Sequence, residues 1–96
     1  MANWGDVACY DAMIEEIGAF CTKVEDSCQV MLTAVRTCMD NMEGDEASLT
    51  AQRNVLLGIK KYEEAVSTAR TLAAKLSEER NDLVEYLNRL REMDES

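Results

Sequence analysis

Residues 10–42 read YDAMIEEIGAFCTKVEDSCQVMLTAVRTCMDNM, and an apolar side chain recurs in this stretch at alternating steps of four and three: Tyr10, Ile14, Ile17, Cys21, Val24, Cys28, Met31, Val35, Cys38 and Met42. An α-helix closes a turn in about 3.6 residues, so side chains at this spacing gather into one stripe that a second helix can cover. The second half of the chain carries the matching stripe, Val55, Ile59, Tyr62, Val66, Ala69, Ala73, Leu76, Arg80, Leu83, Leu87 and Leu90, with Arg80 its one charged member. Proline is absent and glycine occurs four times in 96 residues. Most of the remainder is Ala, Leu, Glu, Met, Lys and Arg, which lose little on entering a helix. The fold class is all-α.

Between the stripes lies Asn41-Met42-Glu43-Gly44-Asp45-Glu46. Gly44 is placed to take the left-handed conformation that ends a helix, with Met42 before it, and Asp45 to cap the next helix through its side-chain oxygen. The expectation is one domain over residues 1–96: a first helix over about 6–42, a turn at 43–45 and a second helix over about 46–93, rods of roughly 55 and 70 Å. A turn this short makes the helices antiparallel neighbours in a coiled-coil-like hairpin. One register then sets Val35 against Val55, Met31 against Ile59, Cys28 against Tyr62, Val24 against Val66, Cys21 against Ala69, Ile17 against Ala73 and Ile14 against Leu76. It sets Arg80 against Tyr10, whose ring face can hold a guanidinium. Ala69 and Ala73, with Gly18 beside them, suggest close approach in mid-hairpin. At the open end Val7 meets Leu83, and Trp4 packs near Leu87 after Asn3 or Asp6 caps the first helix.

Further apolar residues flank the stripes: Met13 and Phe20 on one shoulder of the first helix, Leu32 and Met39 on the other, and Leu56, Leu72, Val84 and Tyr86 on the second helix. The last turns, carrying Leu87, Leu90 and Met93, are expected to overhang. A two-helix contact cannot cover both shoulders, and a chain this short has little interior. The expected partner is therefore another helical protein, with two hairpins pairing into a four-helix bundle as a dimer or a heterocomplex.

Composition excludes several functions. Nineteen acidic and ten basic residues give a formal charge of −9, which repels phosphate backbones and anionic lipid surfaces. No nucleic-acid partner is expected. No apolar run approaches the roughly 20 residues that span a bilayer, and no basic segment leads into a hydrophobic one at the amino terminus, so neither membrane insertion nor a cleaved signal peptide is expected. Cys9, Cys21, Cys28 and Cys38 form no Cys-x-x-Cys pair. Cys21 and Cys28 stand about 10 Å apart along a helix, beyond the roughly 7 Å limit on Cα separation for a disulfide, and the chain has no histidine. The cysteines read as buried reduced thiols, with a disulfide between chains or a redox role as the alternative. The acidic pairs Glu15-Glu16, Glu25-Asp26, Glu63-Glu64 and Glu78-Glu79 point about 100° apart on a helix and cannot jointly hold a metal or a proton. Without histidine no Glu-x-x-His di-iron site can form, and no phosphate-binding loop, nucleophile elbow or calcium loop occurs. No cofactor and no enzymatic activity are expected.

Two long helices about a short turn near residue 44, without proline, resemble the small Trp-x-Gly proteins of type VII secretion over nearly the whole chain. Where that family has Trp-x-Gly, this sequence has Met42-Glu43-Gly44; where its export signal has an acid four residues after tyrosine, Tyr86 is followed by Leu90. The chain looks more similar to the helical-hairpin accessory proteins of LXG-type toxins. That resemblance implies an adaptor that binds the helical amino-terminal domain of a larger toxin and directs it to the secretion machinery. It implies a cytoplasmic protein, or one exported with its client. Two other readings are a structural homodimeric coiled coil, for example phage-encoded, and an ATP-independent holding chaperone. The register predicts that Val24→Asp, which puts an unpaired carboxylate in the seam, costs several kcal/mol; an unchanged thermal melt followed by circular dichroism would refute it.

Overall fold

A computed structural model describes residues 2–41, Gly44 and residues 46–95. It contains two helices, α1 (Trp4–Asn41, 38 residues) and α2 (Glu46–Glu95, 50 residues), and no strand among the described residues. They pack against each other as an antiparallel hairpin, as the matched stripes require.

The start of α1 is set by a reciprocal cap. The Asp6 amide donates to Asn3 Oδ1 at 3.2 Å and to the Asn3 carbonyl at 3.0 Å, while the Asn3 amide donates to Asp6 Oδ2 at 2.8 Å. Asn3 caps and Asp6 answers it, so both residues act and the helix begins two residues before the expected start. Gly5 belongs to this arrangement, since a Cβ there would lie 2.8 Å from Asn3 Oδ1. At the other end of α1, Thr33 and Thr37 hydroxyls and the Asn41 amide each donate to the carbonyl four residues back, at 2.9, 3.0 and 2.9 Å. No described glycine has a positive φ. Gly44 stands between residues outside the described ones, and the turn reading at Gly44 falls with them. Met42, Glu43 and Asp45, to which the rest of the turn reading applied, lie outside the described residues.

The interior is one column of the heptad. Among the described residues six apolar ones are buried, Val7, Cys21, Cys28, Ile59, Val66 and Leu87, and every one occupies the first of the two seam positions, here the a column (7, 14, 21, 28 and 35 on α1; 52, 59, 66, 73, 80 and 87 on α2). The second, the d column, is covered less. Ile17, Val24, Met31 and Leu76 are half-buried, as are the a-column residues Ile14 and Val35. Val55 and Tyr62, expected in the core, are exposed, Tyr62 by 54%. The helices are thus rolled so that the a columns are driven inward while the d columns turn outward, and a phenol gains by keeping its hydroxyl in water.

The hairpin resolves into two units, Met1–Ala19 with Ala69–Ser96, and Phe20–Thr68. In the second, Cys21, Cys28, Ile59 and Val66 are the buried residues, and Cys21 Sγ lies 3.9 Å from the Val66 carbonyl oxygen. Two cysteines therefore act as small apolar side chains. Cys9 and Cys38 are exposed, contrary to expectation. Cys9 sits outside the stripe, and the expected register sets Cys38 across from Gln52, which offers no apolar partner. Gly18 is also no close-packing residue, since a Cβ there would meet nothing within 4 Å.

In the first unit Arg80 is answered by Asp11, Nε to Oδ1 at 2.9 Å, and by Asn81 at 3.3 Å. The Tyr10 hydroxyl instead donates to Glu79 Oε2 at 3.2 Å. Arg80 is thus met by a carboxylate as well as by its place opposite Tyr10 in the expected register, because the long guanidinium stem carries the charge past the seam to its edge.

Since the a column carries the packing, Ile59→Ala is expected to cost about 2 to 5 kcal/mol, whereas Tyr62→Ala costs under about 1 kcal/mol. Urea unfolding of the two variants checks this, and equal losses would contradict it.

Candidate interaction faces

The shoulder residues separate into three groups. Met13, Phe20, Met39, Leu56, Leu72, Tyr86 and Leu90 are exposed, with Phe20 at 51%. Leu32 and Val84 are half-buried. Leu87 is withdrawn: only 7% of it is exposed, so it does not overhang. The earlier start of α1 explains this, because Trp4 and Asn3 reach the level of Leu87 and line a groove of about 370 Å³ with it, together with Ala2, Leu90, Arg91, Asp94 and Glu95. Trp4 lies near Leu87 as expected. Met93, in contrast, is exposed.

In the unit Phe20–Thr68 the outward roll of the d column opens a groove of about 500 Å³. It is lined by Phe20, Lys23, Val24, Ser27, Cys28, Met31 and Tyr62. Cys28 supplies the buried floor, Val24 and Met31 the flanks, and the half-exposed rings of Phe20 and Tyr62 stand at the edges. Methionine has three rotatable bonds and adapts to differently shaped partners, so Met31 suits a surface that receives another side chain. The groove unites Phe20, read as a shoulder, with Val24, Cys28, Met31 and Tyr62, read as core. Reading seam and shoulder as separate surfaces concealed it.

Other exposed apolar residues, Trp4, Val30, Leu49 and Leu57, lie beyond the expected shoulders. Val30 and Leu57 stand on outer columns where no periodic signal marks them. A further shallow hollow at the start of α2 is lined by Glu46, Ala47, Thr50, Ala51 and Asn54. Among the described residues no group of three or more His, Cys, Asp or Glu side chains could hold a metal ion, and no helix is long and apolar enough to cross a membrane.

Charge is distributed along the surface in short-range pairs. Arg89 pairs with Glu85 one turn earlier, and Arg91 with Glu95 at 3.5 Å. Exposed pairs of this kind contribute about 0 to 1 kcal/mol. The bond to Glu79 holds the Tyr10 phenol above its ordinary value of 10.0, with burial and the charges of Glu79 and Asp6 acting in the same direction.

No family model, no curated protein and no solved structure matches the chain. Each unit carries exposed apolar side chains among its described residues.

A phenol whose folded pKa is raised contributes stability that is fully present below its unfolded pKa and lost as pH rises through the folded value. The melting temperature should therefore fall more steeply with alkaline pH, above about pH 10, in the parent than in Tyr10→Phe. Parallel curves would show that the Glu79 bond does not form in solution.

Proposed function

We propose that this chain is a non-catalytic helix-binding protein, an adaptor for a larger client whose helices complete the surface that the hairpin leaves open. The observation that carries this reading is the outward roll of the d column. A coiled coil that is satisfied by its own two helices buries both seam columns. Here the buried residues among those described all belong to one column; in the unit Phe20–Thr68 Val55 and Tyr62 of the other column and Phe20 of the next are exposed, and in the other unit Met13 and Leu72 are exposed. Large apolar side chains left at the surface in groups mark places where another protein binds, and helix-in-groove recognition uses anchors at the spacing found here.

The resemblance to accessory hairpins of type VII secretion gives the client its class: the helical amino-terminal domain of an LXG-type toxin, held in the cytoplasm and directed to the secretion machinery. In support, the chain combines a two-helix hairpin with an acidic, soluble-facing exterior and an incomplete apolar interior. The adaptor itself would supply surface and orientation, not chemistry.

The test is association. Phe20→Glu and Leu72→Glu alter exposed residues and should leave helicity unchanged in circular dichroism. In sedimentation over a concentration series with an LXG-type amino-terminal domain, the parent should form a complex and each variant should weaken it by about 1 to 3 kcal/mol. A parent chain that sediments as a stable homodimer, and excludes the client, would assign the face to self-association and contradict the adaptor reading.

A further inference from the structure

We infer that the groove of the unit Phe20–Thr68 takes an amphipathic helix of a partner protein whose apolar stripe is flanked by carboxylates. This rests on the helix-binding reading above and adds the partner's charge. Within this unit the open side comprises the d column, the adjoining g column (20, 27, 34; 58, 65) and the next column outward (23, 30, 37; 54, 61, 68). Those positions hold Lys23 and Lys61 and not one carboxylate among the described residues, although the chain as a whole carries −9. The unit's described acids Glu25, Asp26, Asp40, Glu46, Glu63 and Glu64 stand instead on the columns that face away from the groove. Lys23 lines the groove itself, and neither lysine takes part in an ion pair among the described residues.

The local geometry suits a helix as the occupant. The lining comprises Ser27 beside Phe20 on α1 and Tyr62 on α2, and the g column next to it carries only small residues further along, Ala34 on α1 and Gly58 and Ala65 on α2, so a helix can descend onto Val24, Met31 and Tyr62. Gly58 has no structural reason within the chain: a Cβ there would meet nothing within 4 Å, while glycine inside a helix is less stable than alanine by roughly 1 kcal/mol. Close approach of an outside backbone supplies the missing reason. A second copy of this chain fits less well. A two-fold contact through the same face would bring the Lys23 and Lys61 rims of both copies together without a carboxylate to meet them.

Two synthetic helical peptides of about three heptads test the inference, identical in their leucine stripe but flanked in one by glutamates and in the other by lysines. Binding is followed by fluorescence anisotropy, with circular dichroism of each protein variant as the check on folding. The glutamate-flanked peptide should bind more tightly. The double variant Lys23→Glu/Lys61→Glu should weaken it by about tenfold and reverse the preference. Gly58→Gln should keep the helix content and reduce binding of the glutamate-flanked peptide. If the lysine-flanked peptide binds the parent equally or better, attraction to the net negative chain governs and the inference is overturned. In that event Phe20→Glu separates the two readings: loss of both peptides would leave the helix-binding function standing without the charge rule. If neither peptide binds, the inference fails as well, while sedimentation with the toxin domain still decides the adaptor reading.

Discussion

Everything in this hairpin follows from how one column of side chains is buried. The seam offers two columns per helix, and small thiols in the a column of α1, Cys21 and Cys28, allow α2 to settle close enough for the Cys21 sulfur to lie 3.9 Å from the Val66 carbonyl oxygen. Ile59 and Val66 fill the space opposite. Close approach on that side tips the d columns outward. Burial of six of the described residues is little interior for a chain of this length, and apolar surface left in water is free energy still available to association. The groove beside Phe20 and Tyr62 is thus the geometric complement of the cysteine seam.

The polar contacts have a different task. Where the stripe contains Arg80, the chain does not bury the charge but extends it to Asp11, and Tyr10 turns its hydroxyl to Glu79. These exposed contacts contribute little energy, yet they pin the register in the first unit, because each couples one specific position on α1 to one on α2. The Asn3–Asp6 cap fixes where α1 begins, and by doing so determines that Leu87 is covered.

The heptad steps from Tyr10 to Met42 made the all-α hairpin legible, since periodicity reports which side chains share a face. The roll of the two helices about their axes was not legible. Periodicity treats the two seam columns as equivalent, so Tyr62 and Val55 read as core as readily as Ile59, and the difference arises only from the volumes packed across the seam. Likewise Asn3 and Asp6 were both recognisable as capping residues, while their joint use, and with it the withdrawal of Leu87, depended on backbone geometry at Gly5. Phe20, Met13 and Leu72 were identifiable as surplus apolar residues. That Phe20 shares a groove with Lys23 and Tyr62 required the three-dimensional placement of both helices.

The one-sided closure of the seam is tested most directly by the chain's own thiols. Under native, reducing-agent-free conditions, pulse alkylation followed by mass spectrometry reports the reaction rate at each cysteine. Cys9 and Cys38 are exposed and Cys21 and Cys28 buried, so the first two should react at the rate of the urea-unfolded chain and the other two only as the hairpin opens. Introducing a thiol by Tyr62→Cys should add a fast site, and Ile59→Cys a slow one. Uniform rapid labelling of Cys21 and Cys28, or protection at position 62 equal to that at 59, would contradict the account.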